Sequence, residues 1–335
     1  MFPIKHVIIL TKENHTFDNY FGAYPGARGA ALPAAADPHP DQRHDHGAWL
    51  KDRDAKGVEG TAKTQYKASD IPVYWALAQQ YTLCDNYFTD VASESEPNHL
   101  FLIAADSPLI DNSSHNRHYQ PQPPFDMPSL PETLETAGYT WRNYAESDAS
   151  YFRHIKALQN HPWNQPSSRF DQDVAQGFLP TVSWLYAPFG LSEHPGNHSV
   201  HQGAEWTAQR LLNLAGSTLW ASTALIIVWD DWGGWYDHVM SPEHSLWQGD
   251  GPAGYRDSQF RYGPRVPCLI VSPYAKTGIN HHFYSHASVI KFCIRLFGLT
   301  PWNVPALAKN DPSGDLFEAF DFHAPPRLKI PSIIP

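Results

Sequence analysis

The sequence predicts an α/β protein in which helices cover both faces of a mostly parallel sheet. Two apolar runs, IKHVIIL at 4–10 and ALIIVW at 224–229, do not alternate with polar residues, which is typical of strands buried on both faces. Segments with the apolar spacing of helices follow several such runs. The chain has 335 residues and is 42% hydrophobic, so it is long enough to bury this sheet.

The predicted elements alternate along most of the chain, which we expect to form one domain over residues 1–335. A long irregular excursion is expected at about 25–65, and a tail at about 300–335 is expected to wrap the surface. Before the excursion we predict a strand in 4–10. After it we predict a helix and then a strand in 70–88, a turn and a helix in 89–105, and a helix ended by Gly138 and then a strand in 129–146. Further strands are predicted in 178–187, 220–239 and 265–275, and further helices in 205–218 and 286–299.

Composition restricts the class of partner. The formal net charge is -10, and no Lys/Arg cluster forms a footprint for a phosphate backbone, so nucleic acid is not an expected partner. Three cysteines, Cys84, Cys268 and Cys293, indicate neither a disulfide framework nor a zinc cluster. No apolar run reaches the roughly 18 residues of a membrane span, and no export signal is recognised, although a mature form from which one was removed has the same appearance.

Polar groups that suit a metal site follow the predicted strands. Glu13 and Asn14 follow the first strand, Ser95 follows a later one, and Asp230 and Asp231 follow the most apolar strand. Two adjacent carboxylates at an apolar strand end cost several kcal/mol unless something neutralises them, and oxygen ligands of this kind suit a divalent cation. Two simpler interpretations remain open: the aspartates cap the following turn, or Ser95 caps a helix.

Five segments resemble, in order, the motifs of a phosphoesterase family that contains bacterial nonspecific phospholipases C, their plant relatives and certain acid phosphatases. The resemblance runs from residue 6 to about residue 298, and five motifs in register are far more specific than any one of them. The segments are KENHTFDNYFG, SESEPNH, SEHPG, VWDDWGGWYDHV, and YGPRVPCLIVSPYAKTG followed by HASVIKF.

The resemblance implies a three-layer αβα sandwich of the alkaline-phosphatase type. It also implies that Ser95 is the nucleophile and passes through a phosphoserine intermediate. One divalent metal ion, which could be calcium, magnesium, manganese or zinc, is then held by Glu13, Asn14, Asp230 and Asp231. Such relatives suggest a secreted or periplasmic location and at most transient contact with a membrane surface.

Four histidines are candidates for further roles at this site. His194, in the SEHPG loop, is the expected general acid, with a loop-stabilising role as the alternative. His44 lies in the excursion, although neighbouring His46 leaves the register open. His238 is expected to orient the aspartates, and His286 is either a site residue or an ordinary first residue of a helix.

Two departures from the family pattern concern charge. His15 and His99 stand where the family usually has Arg, and histidine carries a charge only below about pH 6.5. We therefore expect higher activity at mildly acidic pH.

We also expect Gly233 and Gly234 to let the backbone approach the site closely.

The expected reaction is hydrolysis of a phosphoric ester. Cleavage of phosphodiesters as in a phospholipase C is the first hypothesis, a broad-specificity acid phosphomonoesterase is the second, and a noncatalytic metal- or ligand-binding protein is the third. Trp49, Trp163 and Trp247 either line a choline-binding pocket through cation–π contacts or are packed.

Overall fold

The computed structural model describes residues 2–56, 60–115, 117–146, 149–300, 311–329 and 331–333. Its strands are β1 His6–Lys12, β2 Thr82–Cys84, β3 Tyr87–Phe88, β4 Trp141–Tyr144, β5 Asn164–Gln165, β6 Val182–Tyr186, β7 Thr223–Trp229, β8 Ser245–Leu246, β9 Gln259–Arg261, β10 Cys268–Val271, β11 Gly278–Asn280 and β12 Tyr284–Ser285. Its helices are α1 Phe17–Phe21, α2 His46–Lys56, α3 Pro72–Gln80, α4 Ser95–Ala104, α5 Leu130–Thr136, α6 Arg169–Ala175, α7 Val200–Ala215 and α8 His286–Phe297.

An eight-stranded sheet with the order β11-β2-β10-β7-β1-β6-β4-β5 forms the centre of the molecule. Its strands are parallel to their neighbours except β10, which is antiparallel to both β7 and β2. Every residue of β7 is buried, as its unbroken apolar run predicts. The predicted mostly parallel sheet is therefore confirmed.

Helices cover the sheet on both sides. Helices α3 and α6 pack on α7, whereas α5 and α8 pack on α4. Along β6, the Trp184 indole donates to the Leu102 carbonyl in α4, and the next residue, Leu185, lies beside Leu211 of α7. Because successive strand residues point to opposite faces, these contacts put the two helix groups on opposite sides. The predicted αβα sandwich is confirmed.

The excursion predicted to be irregular and the predicted surface-wrapping tail both make ordered contacts with the rest of the fold. The excursion at 25–65 contains helix α2 and pairs with the loop after β7 through a bridge between Ala62 and Trp235. In the described part of the tail, Leu316 and Phe320 join the main core, so the tail does more than wrap the surface. Residues 301–310, 330, 334 and 335 of the predicted tail lie outside the described residues.

The Arg265 guanidinium, which is fully buried just before β10, joins four chain segments. It contacts the carboxylates of Asp18 in α1 and Asp237 after β7, and it donates to the carbonyls of Arg28 and Asp85. The loops that follow β1 and β7 are thus held to each other by one cation. A guanidinium suits this place because its fixed fork of donors reaches several acceptors at once.

Replacement of Arg265 by Met should destabilise the protein strongly. Asp18 and Asp237 would lose their buried cation, and an unpaired buried charge costs about 3–5 kcal/mol of unfolding free energy. Urea denaturation of Arg265→Met measures this cost. Lys156→Met breaks an exposed pair with Asp126 and should cost less than about 1 kcal/mol. Equal losses in both variants would contradict the assigned role of Arg265.

Candidate active site

The carboxyl ends of three neighbouring parallel strands meet at one edge of the sheet. Strand β1 leads to Glu13 and Asn14, β7 leads to Asp230 and Asp231, and β6 leads to the loop that contains His194. The Asp230 amide donates to the Lys12 carbonyl at 3.0 Å, so the first two strand ends are joined directly. The edge that the sequence predicted is therefore where these side chains gather.

Ser95 is the first residue of α4 and reaches the aspartates. Its Oγ donates to Asp231 Oδ2 at 2.8 Å, and its side chain does not cap the helix. The nearby Ser93 hydroxyl instead bonds to Asp111. Because Asp231 Oδ1 accepts the Gly233 amide at 2.8 Å, the aspartate caps the turn with one oxygen and binds Ser95 with the other. The capping interpretation thus holds for Asp231 in part and fails for Ser95.

The site suits a cation. Burial and the charge of Asp230 raise the pKa of Glu13 to about 8, and the same two causes raise the pKa of Asp231 well above its usual range. The neighbouring base Lys12 directs its ammonium to Glu193 at 3.0 Å, away from these carboxylates. Burial opposes ionisation of Asp230, but the hydrogen bond from His99 lowers its pKa, so its charge acts on the other two carboxyls. A bound metal ion would offset the repulsion between such carboxylates.

Two buried oxygens give the more specific sign. Asn14 Oδ1 and Asp230 Oδ1 are both buried without a hydrogen-bond partner. The Asn14 amide is oriented by His44, whose Nε2 accepts from Asn14 Nδ2 at 3.1 Å, so Oδ1 is the atom left for a ligand. An unpartnered buried oxygen is costly, and a metal ion that binds it removes the cost. The chemistry of the predicted donor set therefore fits a divalent metal ion.

Other acidic and histidine groups are closer together than the predicted metal ligands. Over the described ranges, two groups of three have ligand atoms within 4.8 Å of one another, and Glu13, Asp230 and Asp231 are not one of them. One group is Asp18, Asp237 and His238, which Arg265 already neutralises. The other is Asp41, His44 and His194, beside the predicted site.

The four candidate histidines have different places. His194 and His44 face each other with ring centroids 6.2 Å apart. Each donates its Nδ1 proton to a nearby backbone carbonyl, that of Pro195 for His194 and that of Gln42 for His44. The Nε2 lone pair of His194 is therefore left for chemistry among the contacts described, whereas that of His44 accepts from Asn14.

The side chains of the other two candidate histidines are bound to groups other than the carboxylates of Asp230 and Asp231. His238 is exposed and donates to Asp18 at 2.6 Å, so the expectation that it orients Asp230 and Asp231 is wrong. His286 is buried at the start of α8, where its Nε2 donates to the Asp230 carbonyl at 2.7 Å and its Nδ1 accepts from Tyr87. Both nitrogens are used, so His286 positions the backbone of Asp230.

The two histidines that replace arginine also differ from expectation. His15 is fully buried and bonds to Asn19 and to the Glu193 carbonyl, and burial lowers its pKa to about 3. This direction opposes a charge on His15 at mildly acidic pH, and higher activity at that pH stays a prediction. His99 contacts Asp230 Oδ2 at 3.0 Å, which makes it a partner of a predicted metal ligand.

A cavity of about 780 Å³ opens beside the predicted nucleophile. Its walls include His44 and Glu94, the residue before Ser95, and also Asp41, Asp45 and Tyr255. None of the three candidate tryptophans is among the residues that line this cavity, so of the two alternatives the packed one is favoured. Trp49 is buried against Ala92 and Trp232, Trp163 lies under Arg142, and Trp247 packs on Phe260, because each of these rings has a neighbour elsewhere in the fold.

Sequence reasoning missed Tyr151. Its backbone has a φ of 56°, unusual for a residue with a side chain, and its ring lies 5.0 Å from that of His99. Burial and then the charge of Glu13 raise its pKa well above the usual value. No motif contains it, so only the fold reveals it.

Gly233 is required by close packing, as predicted. Its φ is 57°, and a Cβ there would lie 2.4 Å from the Asn14 carbonyl oxygen. Gly234 is similar, since a Cβ would lie 2.6 Å from Cβ of Gln42. The loop after β7 therefore packs directly on the loop after β1.

The chain is similar to known proteins over most of its length. The model of the "Phosphoesterase family" matches residues 4–39 and 34–300. A "Non-hemolytic phospholipase C" of Pseudomonas aeruginosa is 30% identical over 409 residues, which cover 98% of this chain and 59% of that protein. "Phospholipase C B" of Mycobacterium tuberculosis is 26% identical, with 98% of this chain and 80% of that protein covered. The chain thus spans little more than half of the first relative.

One solved structure supports the fold. The lipoteichoic acid synthase LtaP of Listeria monocytogenes superposes with a TM-score of 0.51 at 10% identity, over 89% of this chain and 73% of that one. At this identity the likeness concerns the fold alone. In addition, the helices of the described ranges include none that is both long enough and apolar enough to cross a bilayer.

The buried neutral His15 should make folding less favourable in acid. Its pKa is about 3 in the folded state and about 6.5 when unfolded, so the unfolded state takes up the proton between these values and stability falls as pH falls below 6.5. At pH 5 the loss from this residue is about 2 kcal/mol.

Urea denaturation of wild type and His15→Gln at pH 7 and pH 5 measures this effect. The variant should lose about 2 kcal/mol less than wild type between the two pH values. An identical pH dependence in both proteins would show that His15 does not remain neutral.

Proposed function

Because the chain belongs to the Phosphoesterase family, we propose that it hydrolyses phosphoric esters and cleaves phosphodiesters in the manner of a phospholipase C. The observation that carries the proposal is the Ser95 hydroxyl, held 2.8 Å from Asp231 at the start of α4 and beside the 780 Å³ cavity. The relatives named phospholipase C support the reaction class.

In the proposed reaction, Ser95 Oγ attacks phosphorus and a phosphoserine forms. Asp231 Oδ2 is placed to accept the serine proton, and the positive end of the α4 dipole favours the approach of an anionic phosphoryl group. In its cationic form His194 donates the Nε2 proton to the leaving alkoxide oxygen. In its neutral form it accepts a proton from the water that hydrolyses the phosphoserine.

We further propose that Glu13, Asn14, Asp230 and Asp231 hold one divalent metal ion. When bound, such an ion supplies Lewis-acid stabilisation of the serine alkoxide and of charge on the phosphoryl oxygens. The side chains around these four have orienting tasks: His44 sets the Asn14 amide, and His286 holds the Asp230 carbonyl.

The cavity supports a diester with a cationic head group, which stays on phosphorus while the other ester bond is cleaved. Asp41, Asp45 and Glu94 bring three carboxylates to its walls, and the one arginine there, Arg43, is paired with Asp45. Tyr255 adds an aromatic wall. Carboxylates and an aromatic ring attract an ammonium group, such as that of choline.

Turnover of p-nitrophenyl phosphorylcholine and of p-nitrophenyl phosphate by wild type and Ser95→Ala tests the reaction. We expect cleavage of the choline diester, and a loss of kcat of about 10³-fold or more in the variant, because the attacking oxygen is removed. Ser93→Ala is the matched control, since its hydroxyl bonds to Asp111, and it should retain turnover. Cleavage of the monoester alone would replace the phospholipase C proposal by a phosphatase, and no cleavage would favour a binding protein.

Metal content tests the ligand set independently. Wild type should hold one equivalent of divalent metal by elemental analysis after dialysis, and Asp230→Asn should hold far less, because one carboxylate oxygen is lost. A chelator should abolish turnover, and readdition of single metals identifies the ion. A wild-type protein that keeps full turnover without metal would contradict this assignment.

A further inference from the structure

Behind the site lies a fully buried ion pair with no place in the reaction above. Lys12 Nζ lies 3.0 Å from Glu193 Oε1, and both side chains have no exposed surface. Lys12 is the last residue of β1 and precedes Glu13. Glu193 precedes His194. The pair therefore connects the chain at a predicted metal ligand to the chain at the predicted general acid.

The Glu193 carboxylate has a complete set of partners. Tyr20 donates to Oε2 at 2.7 Å, and Tyr74 donates to Oε1. Its stem lies on Gly203 of α7, where a Cβ would be 2.2 Å from Glu193 Cγ. These contacts together hold the glutamate side chain in one position.

The backbone of the His194 loop is held at the same place. Glu193 has a φ of 76°, a left-handed conformation that residues with side chains rarely adopt. Its carbonyl accepts from His15 Nε2 at 2.9 Å, the Leu191 carbonyl accepts from Lys12 Nζ at 2.9 Å, and the Ser192 carbonyl accepts the Glu13 amide at 3.1 Å. Hydrogen bonds to three successive carbonyl groups thus join this loop to the end of β1 and the residues that follow it.

Stability alone does not account for this arrangement. Desolvation of two charges consumes much of their attraction, and apolar residues of similar size often stabilise a core as well as a buried ion pair does. A strained backbone persists where the surrounding structure holds it for a geometric purpose. The pair is therefore better explained by the position that it gives to its neighbours in sequence.

We propose that Lys12 and Glu193 are positioning residues that set the distance of the His194 imidazole from the carboxylates of the site. The inference rests on the proposed function, in which His194 transfers protons. Without the pair, Glu193 is free to relax from its left-handed conformation, and the His194 ring moves with it.

Three variants test the proposal. Glu193→Gln and Lys12→Met each break the ion pair, and Gly203→Ala displaces the Glu193 stem without a change in charge. We expect kcat to fall up to about 100-fold, the effect of a displacement of about 1 Å, while KM and the metal content stay near wild type. Rates are measured on folded protein at a temperature well below each variant's melting temperature.

A double variant and a remote control separate position from stability. Lys12→Met/Glu193→Gln leaves no unpaired buried charge, so it should recover stability relative to the single variants without recovery of kcat. Asp173→Asn breaks the pair of this buried carboxylate with half-buried Arg142, between α6 and β4, and should lose stability with an unchanged kcat. If the pair variants resemble Asp173→Asn in both properties, the proposal is overturned.

A readout without turnover keeps the inference separate from the proposed function. The His194 imidazole resonance, identified by its loss in His194→Gln, should shift in Glu193→Gln and Gly203→Ala but not in Asp173→Asn. Absence of ester hydrolysis by wild type would defeat the proposed function and leave this test intact. An unmoved His194 resonance would overturn the positioning role.

Discussion

The buried guanidinium of Arg265 is the contact on which the geometry of the site depends. Asp18 and Asp237 belong to loops that follow different strands, and each would repel the other in the interior if the cation did not lie between them. Even with it, burial raises the pKa of Asp237 to about 6. The loop after β7 reaches the loop after β1 because this charge balance favours the approach, and the absence of a Cβ at Gly233 then permits it.

Basic side chains are distributed unevenly around the strand ends. Arg265 and Lys12 each neutralise carboxylates that lie behind the reactive edge, whereas Glu13, Asp230 and Asp231 have His99 as a neighbour and no such strong base among the contacts described. The fold thus neutralises its structural acids internally, whereas the proposed metal ion would neutralise the acids of the site. With that ion, a protein with a net charge of -10 would accept an anionic group at one place.

The sequence predicted the features that depend on local pattern and missed those that depend on distant neighbours. Unbroken apolar runs predicted β1 and β7, and the polar residues after β7 predicted the edge where Asp231 meets Ser95. The antiparallel direction of β10 was not readable, because a strand buried on both faces has the same composition in either direction. The role of His15 was equally hidden, since its partner Glu193 is 178 residues away.

The cavity walls and the reactive groups come from different kinds of structure. Asp41, His44 and Asp45 belong to the long excursion, and Tyr255 belongs to another loop, while Asp230 and Asp231 extend directly from a central strand. Mutations in the loops that form the walls therefore leave the sheet core intact. Exchange of these loops can therefore alter which head group is accepted, while the strand ends that present the proposed reactive groups stay the same.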